Sequence, residues 1–155
     1  MPTIGMYSYI GETWRQNLKE RPRSLRDRAV IWRKEGTITR LERPTRIDKA
    51  RMLGYKAKQG IIVVRARVGR GGMRKSRPKM GRRPRHLGVL RIKAAVSMRR
   101  VAEKRTIDKY PNLKVMNSYY VYQDGRYSWY EVILVDPDHP SIKNCGELEQ
   151  IISAN

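Results

Sequence analysis

Residues 110–140 read YPNLKVMNSYYVYQDGRYSWYEVILVDPDHP, and this stretch decides the fold. Two β-rich runs, Leu113–Gln123 and Arg126–Val135, flank Asp124-Gly125, a dipeptide that favours the type I′ turn of a two-residue hairpin. Such a turn sets Tyr122 opposite Tyr127, Tyr120 opposite Trp129 and Met116 opposite Ile133 on one face. Tyr119 opposite Tyr130 and Val115 opposite Leu134 then share the other face. Both faces are apolar near the middle, so a helix must bury one side and something must partly cover the other. Sheet-borne aromatics can stack bases, yet cross-strand packing is their commoner use, and this last third of the chain is acidic. The Asp/Pro turn 136–140 ends the second strand, and residues 142–152 are expected to fold back as a short helix.

Upstream, Leu90, Ala94, Met98 and Val101 fall on one face of a helix expected over 87–108, with Lys93, Arg100 and Lys104 on another stripe. Before it, residues 61–68 (IIVVRARV) read as a strand with Arg65 and Arg67 on a wet or ligand-covered face. Between them runs 69–86, GRGGMRKSRPKMGRRPRH, with eight Lys and Arg, four Gly and no acid, which cannot build a core of its own. A loop of this length is usually functional or disordered, and it reads as an extension that orders against phosphates.

Residues 43–60 (RPTRIDKARMLGYKAKQG) give a short basic helix from Ile47, ended by Gly54, and a loop. Residues 1–42 give two helices and a strand at 37–41. Ile4, Tyr7, Trp14 and Leu18 follow Thr3 at helical spacing; Ser24 is the expected N-cap of the second helix, with Leu25, Ala29 and Trp32 as its apolar stripe and Gly36 as its end. The fold class is therefore α+β: an antiparallel four-stranded sheet of roughly β-(α)-β-α-β-β order, with an N-terminal helical arm and a long basic loop. At 155 residues one domain over 1–155 is expected, comprising the arm and first strand (1–42), the basic motif (43–60) and a core (61–155) bearing the extension 69–86.

Charge is concentrated in the middle of the chain. The formal net charge is +21, divided as +4 over residues 1–42, +20 over 43–105 and −3 over 106–155. With so few acids nearby, the central cations repel one another, a situation relieved by an anionic partner. Arginine's planar fork suits phosphate oxygens, and glycines let the backbone approach them closely.

Several function classes are excluded. The longest aliphatic run, Ile61–Val64, is far short of a membrane span, and the helix stripe is too Ala-rich for a lipid-facing one. His86, His139 and Cys145 make no zinc spacing, and one cysteine makes no internal disulfide, which fits a reducing compartment. Gly69-Arg70-Gly71-Gly72 lacks the Gly-Lys-Ser/Thr ending of a phosphate-binding loop. His139 beside Asp138 and Asp136 could be a general base, but such a turn is the ordinary way to end a strand. No enzyme, metal or cofactor reading survives, and polyanion binding by the basic middle remains. Structured RNA suits an irregular Gly/Arg loop better than a regular duplex does.

The runs RPTRIDKARMLGYKAKQG, IIVVRARVGRGG and 110–140 closely resemble the fifteen-e family of large-subunit ribosomal proteins of archaea and eukaryotes. The resemblance covers about Tyr7 to Ile142 and favours the shorter, archaeal form. It implies a structural, non-catalytic constituent of the large subunit in the cytoplasm, bound to ribosomal RNA and neighbouring ribosomal proteins, with no cofactor, membrane or small-molecule substrate. Position by position, it puts Arg43, Arg46, Lys49, Arg51, Lys56 and Lys58 in the family's basic motif, with Arg65 and Arg67 on the following strand. The loop varies within the family, so Arg70, Arg74, Lys75, Arg77, Lys79, Arg82, Arg83 and Arg85 are expected RNA contacts on charge alone, as are Lys93, Arg100 and Lys104. Tyr120 and Gln123 replace the family's frequent Trp and Glu, and a Gly/Arg/Lys-rich tail common in the family does not follow Asn155 in this sequence.

Overall fold

A computed structural model describes residues 5–72, 75–89 and 95–144. Helices α1 (Met6–Glu20) and α2 (Arg23–Lys34) precede strand β1 (Ile38–Leu41), helix α3 (Ile47–Met52) and strand β2 (Ile61–Gly69). A single 3-10 turn (Pro84–His86) precedes helix α4 (Met98–Lys109), the hairpin β3 (Lys114–Gln123) and β4 (Tyr127–Val135), and the short helix α5 (Pro140–Lys143). The strands form one antiparallel sheet, ordered β1-β2-β4-β3 in space. The α+β class and the element order along the chain are as expected. The chain enters the sheet edge with β3 and only then fills the centre with β4.

The hairpin differs from its expected geometry. Asp124, rather than a type I′ backbone, makes the turn: its Oδ1 accepts from the amides of Arg126 at 2.7 Å and Tyr127 at 2.6 Å. Gly125 has no positive φ, and the carboxylate-bonded turn starts the register two residues out, pairing Tyr122 with Trp129. Bulges at Val121 and Met116 then absorb the offset, so Val115 faces Leu134 as expected. The bulges also swap faces: Tyr119 joins Trp129 and Ile133 in the main core, while Tyr120 pairs edge-on with Tyr130 on the other side, ring centroids 5.9 Å apart.

The main core lies on the sheet face covered by the N-terminal helices. Leu25, Ala29 and Trp32 of α2 pack there with Ala50 of α3, Ile142 of α5 and, from β4, Trp129, Ile133 and Val135. The opposite face is covered by α4, whose Ala102 meets Ala66 and Val68, with Met98, Val101 and Tyr130 beside them. Both faces of β2 are therefore packed. Arg65 does not face water, as its alternation suggested; it is buried beneath α2 with Val63, because the helical arm folds back over that side.

Helix boundaries shift for local reasons. Pro22, whose φ is −58°, opens α2 in place of Ser24, which lies inside the first turn. Helix α4 begins at Met98, not Leu87: Ala95 takes a left-handed φ of 56°, and the Ser97 hydroxyl caps the Arg100 amide at 3.2 Å. Thr3, Leu90, Lys93, Ala94 and most of the expected 142–152 helix lie outside the described residues; what is described there is Pro140–Lys143.

Gly60, at φ +87°, turns the chain into β2 directly under α5. A Cβ there would stand 2.8 Å from Ile142 Cγ1 and 2.9 Å from His139 Cγ. Gly60→Ala is expected to cost about 1–3 kcal/mol in backbone strain before the clash is added, read as a lower urea midpoint. An unchanged midpoint would contradict this packing.

Candidate nucleic-acid interface

The basic segment 43–60 packs against α1 through two of its arginines. Arg46 and Asp48 form an ion pair at 3.0 Å, both almost wholly buried, with the Arg46 guanidinium 5.3 Å from the Trp14 ring centroid. Arg51 stacks on Tyr7 and donates to its hydroxyl, fixing α3 against α1. On the next strand, Arg65 pairs with Glu35 at 2.5 Å and lies 4.5 Å from the Trp32 ring centroid. Half-buried Arg67 donates to the Arg33 carbonyl at 2.5 Å and covers Tyr127.

These contacts divide the expected RNA-binding residues. Arg46 and Arg65 are buried and engaged internally, a role the scarcity of acids had obscured: Asp48 and Glu35 are few but well placed. Arg43, Arg51 and Lys58 are exposed, while Lys49 and Lys56 are half-buried. In the loop, Lys75, Arg77, Lys79, Arg82, Arg83 and Arg85 are all exposed, and Arg70 is tied to the hairpin tip through the Asp124 carbonyl at 2.5 Å. Arg74 and Lys93 lie outside the described residues. Arg100 and Lys104 are exposed on α4, on the far side of the sheet from α3.

Sequence reasoning passed over other exposed cations. Arg15, Arg21, Arg23, Arg26, Arg28 and Lys34 on the helical arm are exposed, as is Arg105 on α4. For Arg23, Arg26, Arg28 and Lys34 the signal is the positions left over once Leu25, Ala29 and Trp32 take the buried face of α2. Arg99 is held in place, donating to Ser118 Oγ at 2.6 Å, Asn117 Oδ1 at 2.8 Å and Glu103 Oε1 at 3.2 Å.

Glu131 was also missed, though it is the one acid in YSWYEVILV. Fully buried on the central strand, its Oε2 accepts from the Thr45 amide at 3.0 Å and from the Tyr119 hydroxyl. Burial holds its carboxyl above the ordinary value of 4.5, although both hydrogen bonds and Arg65 pull the other way. Burial and the Glu131 charge likewise raise Tyr119, which stays a donor. Burial, with the neighbouring Tyr130, pushes Tyr120 up to about 12.

Because the folded state binds the Glu131 proton more tightly, its contribution is fully present below the unfolded value and lost as pH rises through the folded one. Wild type should therefore gain stability relative to Glu131→Gln as pH falls from neutrality toward 4.5, measured by urea unfolding. A difference that stays flat or reverses would contradict this.

The His/Asp turn that follows β4 is engaged in local structure. His139 caps α5, accepting from the Ser141 amide at 3.2 Å, while Asp136 accepts from the Asp138 amide and Asp138 pairs with Lys143. Among the described residues no cluster of His, Cys, Asp or Glu could hold a metal ion, and no helix is long and apolar enough to cross a membrane. The surface can neutralise a polyanion by point contacts from several directions.

Comparison with known proteins agrees with this chemistry. A family described as Ribosomal L15 matches residues 5–155. A relative from Methanococcoides burtonii, named large ribosomal subunit protein eL15, is 54% identical over 146 residues, covering 94% of this chain and 74% of the relative. With buried anchors beneath an exposed basic surface and a match along nearly its whole length, the chain belongs to the eL15 family of large-subunit ribosomal proteins.

Proposed function

We propose that the chain is a single-domain structural constituent of the cytoplasmic large ribosomal subunit that holds folded ribosomal RNA by Arg and Lys contacts to phosphates. One observation carries the assignment of contacts. Arg43, Lys49, Arg77, Lys79, Arg83, Arg85, Arg100 and Lys104 reach the surface with no acidic partner within ion-pair distance among the described residues. Arg51, Lys56, Lys58, Arg67, Arg70, Lys75 and Arg82 reinforce this surface, whereas Arg46 and Arg65 support it from below. Phosphate contacts fix register and orientation on a nucleic acid, which is what a structural constituent requires. Neighbouring ribosomal proteins are the remaining partners in this reading.

Competition binding tests the choice of polyanion. Purified protein should retain deproteinised large-subunit RNA against an excess of duplex DNA at physiological salt. Equal displacement by the duplex would overturn the reading, because bare phosphate electrostatics would then account for all of the affinity.

A further inference from the structure

The polar row across the sheet contains an interaction that neutralisation does not explain. Thr39, Arg65, Glu131 and Tyr119 stand side by side on β1, β2, β4 and β3. Arg65 is the cross-strand partner of Glu131, yet its guanidinium pairs with Glu35 at 2.5 Å and stacks on Trp32. Glu131 instead reaches out of the sheet to the Thr45 amide, 86 positions away in sequence, while its Oε1 has no hydrogen-bond partner among the described residues.

A buried carboxyl with one oxygen left without a partner is costly to keep, so stability alone does not account for it. What it supplies is a fixed point. Thr45 lies between exposed Arg43 and buried Arg46, at the entrance to α3, and no strand pairing holds this segment. We propose that Glu131 is the positioning residue of the RNA-binding segment: its hold on the Thr45 amide sets where Arg43 and the cations of α3 stand for phosphate contact. The inference rests on the RNA-binding reading above and adds the residue that gives that surface its shape.

Binding of deproteinised large-subunit RNA across a salt series, well below each variant's melting temperature, tests it. Glu131→Gln keeps an oxygen for the Thr45 amide and should bind within about threefold of wild type. Glu131→Leu leaves the Thr45 amide and the Tyr119 hydroxyl without their acceptor and should melt below wild type. Well below that temperature it should bind at least tenfold more weakly, its log–log salt slope flatter by about 0.7–0.9 for each phosphate no longer neutralised. Thr45→Pro deletes the donor, leaves the carboxyl in place and should reproduce that weakening, which keeps the test decisive if the leucine variant does not fold. A folded Glu131→Leu or Thr45→Pro variant with wild-type affinity and slope would overturn the positioning role alone. Failure of wild type itself to bind the RNA would overturn the RNA-binding reading and this inference with it.

Discussion

Trp129→Ala is expected to lower the unfolding free energy by about 3–5 kcal/mol, the range for removing a buried aromatic ring. Trp129 is 1% exposed on the central strand. Its ring meets Trp32 edge-on at 5.7 Å, stacks with Tyr122 at 6.2 Å and lies 6.2 Å from Tyr127, joining α2 to both arms of the hairpin. Removing it opens a cavity where the helical arm, β3 and β4 converge, and neither packed side can collapse without moving the other. The indole Nε1 has no hydrogen-bond partner among the described residues, so Trp129→Phe should recover a large part of the stability by deleting an unsatisfied donor. Urea denaturation followed by circular dichroism measures both. If the alanine variant stays as stable as wild type but no longer binds RNA, the hairpin aromatics are the binding platform and the assigned core is wrong.

Neutralising the loop should have the opposite effect. With Arg77, Lys79, Arg82, Arg83 and Arg85 all changed to Gln, stability should stay within about 0.5 kcal/mol of wild type, because these side chains are exposed and make no ion pair among the described residues. RNA affinity should fall at least tenfold, and the log–log salt slope should flatten by about 0.7–0.9 per phosphate left without its cation. Outside the 3-10 turn at Pro84–His86, the described residues from Lys75 to Leu87 contain no regular structure and contribute no residue to the buried core. In the free protein, rapid amide exchange should run through this segment, since little buried apolar surface offsets an ordering cost of about 1–2 kcal/mol per residue. Slow exchange there, or unfolding of the neutralised variant, would contradict this division of labour.

The sequence made some features legible because one local cause determines them. The stripe Leu25, Ala29, Trp32 needs only helical periodicity, and the end of α3 needs only a glycine free to take φ 93° at Gly54. Features that depend on distant residues did not show. Arg65 reads as wet until α2 returns Glu35 and Trp32 to it, and the hairpin register follows its turn dipeptide until the Asp124 carboxylate and two bulges intervene. The α4 start was hidden by Ala-rich periodicity that carries on through Ala95, whose left-handed backbone no pattern announces. At the candidate site, charge density picks out the basic middle of the chain but does not separate cations engaged within the fold from those left at the surface. That separation rests on half-buried Glu35 and buried Asp48 and Glu131, each a single acid in a basic or apolar setting.

If exposed cations hold this protein in the large subunit, its place there should be stable at physiological salt and sensitive to high salt. Sucrose-gradient fractionation of cell extract, followed by immunodetection, measures it directly. The protein should sediment with large subunits and whole ribosomes at physiological salt and leave them only when high salt strips bound proteins. Migration as free protein, or with chromosomal DNA, would contradict the account.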